Sequence, residues 1–227
     1  MATYTVFITL SDSTLQSLYA GKFWLRVYKG ITASAPVVNT VWYTTNVFSS
    51  TVQIQWTDDY YGFIYPGVPL TKGTMISSGP LNAIQPGNVL SIGPAGSTSI
   101  STIGGNANAL TFVNNSSNIR ICGAAQPVNG NPRLYTAMQM MGSGTNVAAP
   151  KELLLLVFET GEFDAGRIVT RTLNSSLQIN MMSSTPVTIA FDYQNSWDTN
   201  GDPNATILPN SISITGQLWS QYNNYIK

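Results

Sequence analysis

The sequence predicts an all-β fold, a β-sandwich of Greek-key or jelly-roll type, on three observations. Apolar residues alternate with polar ones in about a dozen short segments, the period of a half-buried strand. Gly, Pro, Asn and Ser punctuate those segments at short intervals, as in sandwiches and barrels. Helical periodicity is confined to two short places.

The strand segments follow in chain order. Thr3 to Leu10 is extended, with Tyr4, Phe7, Ile8 and Leu10 as its apolar positions. Phe23, Leu25 and Val27 alternate with Trp24, Arg26 and Tyr28. Val37 to Tyr43 is β-branched and aromatic, and Val52, Ile54 and Trp56 alternate with Gln53, Gln55 and Thr57. Further strands are expected at Leu110 to Val113, Asn118 to Cys122, Leu153 to Phe158, Arg167 to Thr172, Leu177 to Met181, Val187 to Tyr193 and Ser211 to Thr215. The better helix candidate is Ser11 to Ala20, with Ser11 or Ser13 as N-cap, Leu15 and Leu18 on one side and Gly21 ending it. Leu134 to Met141, bounded by Pro132 and Gly142, reads either as a second helix or as a strand.

Two regional features bear on domain organisation. From Gly73 to Ile119 no side chain is charged. The stretch reads as short strands and turns, or as a segment built to enter a less polar medium, with Gly104-Gly105 as a hairpin turn. The second feature is a possible repeat. TTNVFSSTVQIQW (Thr44 to Trp56) and VTRTLNSSLQINM (Val169 to Met181) match identically at Thr45, Ser50, Gln53 and Ile54 when offset. A duplication gives two tandem sandwich units, 1–115 and 116–227; the alternative is one elongated domain.

Composition limits the functions. Hydrophobic residues make up 43%, enough for a packed core, whereas Lys plus Arg and Asp plus Glu number only ten each. With no basic face to neutralise phosphates, a nucleic-acid partner is not expected. Met1 to Thr5 has neither a positive n-region nor an apolar h-region, so the expectation is cytoplasmic synthesis without a signal peptide, with or without non-classical release. The longest apolar run, Leu153 to Phe158, is too short for a membrane helix.

The chain contains no histidine and one cysteine, Cys122. Without His there is no Ser–His–Asp triad. Lys22, Lys29, Lys72, Lys151 and Lys227 fall in turn-like or terminal contexts with no recognisable Ser–Lys motif. Asp58-Asp59 and the group Glu159, Glu162 and Asp164 read as solvent-facing turn carboxylates rather than a glycosidase pair. No enzyme activity is expected.

Binding has better support. Trp56, Asp58, Asp59, Tyr60 and Tyr61 follow one strand, and Trp197, Asn200 and Asn204 follow another. Flat rings stack on sugar C–H faces while short acceptors take hydroxyl protons, so both loops are candidate ligand sites. Asp198, Asn200 and Asp202 have the alternate spacing of calcium ligands, although Pro203 and Pro209 exclude an EF-hand. Calcium is therefore the one cofactor considered. Trp219, Tyr222 and Tyr225 have the spacing of one helical face.

The chain resembles small microbial lectins in composition alone, a class-level analogy. The expected function is non-catalytic, lectin-like recognition of glycans or cell-surface glycoconjugates in defence or toxicity. Two alternatives stand beside it. One is a β pore-forming toxin acting on membrane lipid. The other is a self-assembling structural protein, since low net charge favours homo-oligomers.

Overall fold

A computed structural model describes residues 2–67, 69–76 and 79–222. It is an all-β fold of two curled sheets of nine strands each, with two short helices. In the first half of the chain, β1 (Thr3–Leu10), α1 (Asp12–Ala20) and β2 (Phe23–Ala33) lead to β3 (Val37–Asn39), β4 (Tyr43–Thr45), β5 (Thr51–Thr57) and β6 (Tyr60–Pro66). Then come β7 (Asn82–Ile84), β8 (Val89–Ile92), β9 (Thr98–Ser101) and β10 (Leu110–Asn114). The second half contributes β11 (Arg120–Val128), β12 (Asn131–Met140), β13 (Thr145–Thr160), β14 (Ser176–Asn180), β15 (Val187–Asp192), β16 (Ser196–Asp198) and β17 (Ala205–Leu208). α2 (Ile214–Leu218) and β18 (Trp219–Gln221) close it.

The first sheet runs β16-β15-β1-β5-β11-β12-β3, with β6 and β7 joined to β11; the second runs β17-β14-β13-β10-β8-β9, with β2, β4 and β18 joined to β13 through β2. Both sheets mix strands from the two halves of the chain. β1 pairs in parallel with β15, Val6 opposite Val187, and β2 pairs antiparallel with β13 along most of its length. The sheets therefore do not part near residue 115. The two repeat segments also lie apart, β5 between β1 and β11 in one sheet and β14 between β13 and β17 in the other. What they share is inward alternation: Val52, Ile54 and Trp56 are buried, and so are Leu177, Ile179 and Met181.

The inner faces interdigitate in one large core that includes Ile8, Val27, Ile54, Trp56, Leu90, Phe112, Leu156 and Phe158. Each outer face carries a smaller cluster. Tyr28, Leu155 and Val157 pack beneath Val169, Ile214 and Leu218 on one side, and Phe63, Ile121 and Ala137 beneath Ile76 and Ile168 on the other. Ile168 and Val169 are adjacent yet enter different clusters, so the segment after β13 straps both sheets. This explains why Arg167 to Thr172, apolar enough to suggest a strand, forms only isolated bridges to Thr40, Met75 and Ser213.

Helix α1 follows the sequence reading. The Ser11 hydroxyl accepts the Thr14 N–H at 3.2 Å, Leu18 is buried, and Gly21 caps the end. Of Leu134 to Met141, all but the exposed Met141 belongs to β12, because Met138 and Met140 fill the core as alternate strand positions. Ser211 to Thr215 leads into α2, not into a strand. Trp219 lies in β18 and Tyr222 follows it, so they do not share a helical face; Tyr225 lies outside the described residues.

Most of the uncharged middle is built into the second sheet as β8, β9 and β10, while β7 joins the first. Leu90 in β8 and Leu110 and Phe112 in β10 are fully buried. The hairpin turn lies between β8 and β9, where the Gly93 N–H meets the Ser97 carbonyl at 2.9 Å, and not at Gly104-Gly105. Those glycines sit where the chain crosses back so that β10 pairs parallel with β8. A Cβ on Gly105 would lie 2.2 Å from the Gly87 carbonyl oxygen, so only glycine fits this crossing.

Glu159 was expected to face solvent but is 1% exposed, as is its partner Arg26. Alternation places Arg26 on the outer face of β2 with Tyr28, under the loop that follows β13. There its guanidinium pairs with Glu159, donates to the Thr160 and Gly161 carbonyls at 2.9 and 2.8 Å, and sits 4.1 Å over the Phe163 ring. The other Glu159 oxygen accepts the Leu173 N–H. Removing one member of a fully buried pair costs about 3–5 kcal/mol. Glu159→Gln is expected to lose stability of that order, measured as a lowered urea midpoint, and Arg26→Met/Glu159→Leu to recover only part of it, because the carbonyl and Leu173 bonds stay broken.

Candidate functional site

The two tryptophan loops do not form open stacking platforms. Trp56 lies near the end of β5 and is 1% exposed. Tyr4 stacks on it at 5.4 Å between centroids, Trp42 meets it edge-on at 5.8 Å, and its Nε1 donates to Glu152 Oε2 at 2.5 Å. Asp58 accepts the Ala2 N–H at 2.9 Å, and Asp59 accepts the Thr57 hydroxyl at 2.7 Å. Tyr60 and Tyr61 are not loop residues: they open β6, Tyr60 donating to Glu152 Oε1 at 3.3 Å and Tyr61 packing on the outer cluster. Burial first, and the Glu152 charge second, raise the Tyr60 pKa well above the usual phenol value.

Trp197 is 3% exposed. It stacks on Phe158 at 5.4 Å, meets Phe191 edge-on at 4.9 Å, and donates to the Ser175 carbonyl at 3.2 Å. Both rings are core because a large aromatic at an inward strand position buries more apolar area than any other residue there. The carboxylates beyond Trp197 close their own turns. Asp198 accepts the Asn200 N–H and Asp202 the Asn204 N–H, each at 2.8 Å, while the Asn200 amide donates to the Thr188 carbonyl at 3.1 Å. In the calcium reading of Asp198, Asn200 and Asp202, one oxygen of each carboxylate is thus engaged in its own turn, and Asn200 is held through its amide nitrogen. Among the described residues no three His, Cys, Asp or Glu side chains cluster.

What Trp197 supports from beneath is a cleft of about 320 Å³ between the β15–β16 hairpin and the start of β2. Its floor is aromatic. Phe158 and Phe191 are 4.3 Å apart, and Phe23 meets Tyr193 edge-on at 5.7 Å. Its rim is neutral and polar: Asn174, Ser175, Gln194, Ser196 and Asn210. The Ser175 and Ser196 hydroxyls are 2.5 Å apart, and the Asn174 amide is anchored on the Phe158 carbonyl at 2.7 Å. Ser196 is held at φ 70°, a left-handed conformation uncommon for a residue with a Cβ. Tyr193 is 46% exposed. No lining side chain is an acid or a base of the Asp, Glu, Lys or Arg type.

Asp192 fixes the hairpin turn. Its Oδ1 accepts the Asn195 N–H at 2.8 Å and the Gln194 N–H at 3.0 Å, and its Oδ2 accepts the Thr14 hydroxyl at 3.2 Å. The Asn195 N–H above all, then the Gln194 N–H and the Thr14 and Asn195 side chains, hold this carboxyl below the usual Asp value. A second depression, about 510 Å³, lies on the other side of the hairpin and shares Phe191 and Ser196 with the first.

A different chemical centre lies inside the core. Lys29 continues β2 beyond the point where Lys29-Gly30 suggests a turn, and it is fully buried. Its ammonium is 2.5 Å from Glu152 Oε2 and lies 5.1 and 5.2 Å over the Trp56 and Trp42 rings. Burial lowers the Lys29 pKa, and Glu152 opposes that shift. Cys122 is buried too, its thiol pushed up to about 12 by desolvation, which keeps it out of the thiolate form.

Two outcomes test this geometry. Trp197→Ala is expected to cost about 3–5 kcal/mol in urea unfolding, as for other buried large aromatics; unchanged stability would place the ring outside the core. Because the folded-state pKa of Asp192 is depressed, its contribution to the hairpin is complete above the ordinary Asp value of about 3.9 and is lost as pH falls through the lower folded value. An NMR titration should show a carboxyl midpoint below ordinary Asp, with Gln194 and Asn195 amide exchange rising over the same range.

Comparison with protein-family models, with curated proteins and with solved structures finds no match to this chain, so the site rests on its own geometry.

Proposed function

We propose that the protein is a non-catalytic binding protein that recognises a neutral glycan, free or on a cell surface, in the cleft beside the β15–β16 hairpin. The observation that carries this reading is a cleft whose floor is aromatic, with Tyr193 as its exposed ring, and whose rim is made only of amides and hydroxyls. Tyr193 offers a ring to a sugar C–H face, and Phe23 braces it edge-on. Asn174, Gln194 and Asn210 offer carboxamides, and Ser175 and Ser196 offer hydroxyls, for sugar hydroxyl groups. A charged ligand would find no counter-ion among these groups, whereas a polyol needs none.

The strands of the two halves interleave, so binding several epitopes on one surface has to come from self-association rather than from tandem units. A formal net charge of zero favours such association.

A glycan array probed with calcium and with chelator tests the reading. Binding to at least one neutral glycan is expected in both conditions, and silence in both sinks the proposal. Tyr193→Ala removes one stacking ring, worth about 0.5–1.5 kcal/mol, and should weaken that binding by about two- to twelvefold with an unchanged circular dichroism spectrum. A Tyr193→Ala variant that binds as the wild type does moves the ligand elsewhere.

A further inference from the structure

We infer that Lys29 and Glu152 form an intramolecular amide cross-link between β2 and β13. The inference rests on four groups that converge in the core. Lys29, the nucleophile, is fully buried, and its nitrogen lies 2.5 Å from Glu152 Oε2. The Trp56 indole N–H donates to the same oxygen at 2.5 Å, and the Tyr60 hydroxyl donates to Oε1 at 3.3 Å. The bulge in β13 accounts for the placement. Between the pairs Pro150–Ile31 and Leu154–Lys29, three residues of β13 lie opposite Gly30 alone. A Cβ on Gly30 would come within 2.9 Å of the Leu153 Cβ, so the glycine lets the bulge press close and turn Glu152 toward Lys29.

The chemistry balances without an oxidant or any added reactant. Transfer of the ammonium proton to the carboxylate gives a neutral amine and a neutral acid, the form favoured where charges are poorly solvated. The Nζ lone pair attacks Glu152 Cδ and forms the C–N bond. The first proton goes to Oε2, which faces Nζ, so the oxyanion forms at Oε1 and is held by the Tyr60 hydroxyl, as oxyanion holes hold acyl-transfer intermediates. The Oε2 hydroxyl, held by the Trp56 N–H, takes a second proton from Nζ and leaves as water when the C–O bond breaks. The Glu152 side chain keeps 15% exposure, enough to give the water a way out. The net change is one ammonium and one carboxylate converted to one amide and one water.

Intact mass spectrometry of the denatured full-length chain tests this. The wild type should be lighter than its sequence by one water, and a tryptic digest should contain a branched peptide joining Lys29 to Glu152, uncleaved at Lys29. Lys29→Met should have its full sequence mass. Tyr60→Phe, which keeps the ring but not the hydroxyl, should raise the uncross-linked fraction. A wild-type chain at full sequence mass overturns the inference, and so does a deficit that persists in Lys29→Met, which would place the dehydration elsewhere. If Lys29→Met does not fold, the presence or absence of the branched peptide in the wild type decides.

Discussion

The pairing of β2 with β13 is the constraint on which the rest of the structure depends. These are the two longest antiparallel partners in the second sheet, and β10, β14, β4 and β18 are all hung on one or the other. The same pair holds both ion pairs found among the described residues, and alternation sends them to opposite faces. Arg26 and Glu159 lie under the outer strap, while Lys29 and Glu152 lie between the sheets among Trp42, Trp56 and Tyr60. A chain with twenty charged residues thus commits four of them to one strand pair. Buried ion pairs are weak sources of stability but costly to break, which makes them effective at fixing register. Here a slip of one residue would turn both pairs to the wrong faces.

Much of the fold was legible because period two is a local property. Thr3 to Leu10 and the Val52–Trp56 alternation are strands as expected, and so is Leu177 to Met181 apart from its last residue. Strand order was not legible, because pairing such as Val6 with Val187 leaves no local trace. The misreadings share a cause. Lys29-Gly30 and Glu159-Thr160-Gly161 look like turn punctuation, yet each is a strand position whose charge is neutralised by a residue more than a hundred positions away. Sequence pattern treats a charged side chain as a solvent marker and cannot see a distant partner.

The candidate site shows the same limit. In the β15–β16 hairpin the tryptophan is buried and a tyrosine is exposed. Trp197 supports the floor, and the exposed ring is Tyr193, four residues earlier at the turn. The separation has a physical basis. Indole has little to gain from water, whereas a tyrosine at a turn keeps its hydroxyl wet. The amide-rich run Gln194-Asn195 beside an aromatic was the usable signal. Asn174 and Asn210 could not be added to it, since they reach the cleft from loops distant in sequence.

The parallel β1–β15 pair also bears on how the chain is made. Thr9 donates its hydroxyl to the Ile189 carbonyl, 180 residues away. During synthesis the first strand leaves the ribosome long before that partner exists, and its other neighbour, β5, lies in the same sheet on the opposite side. One edge of a strand containing Val6, Ile8 and Leu10 is thus unsatisfied until β15 has emerged. Contacts of such sequence separation slow folding and leave pairing edges open to other chains. β1 then has an open edge for a chaperone to cover in that interval, and the closing of β15 against it is a late step in forming this sheet.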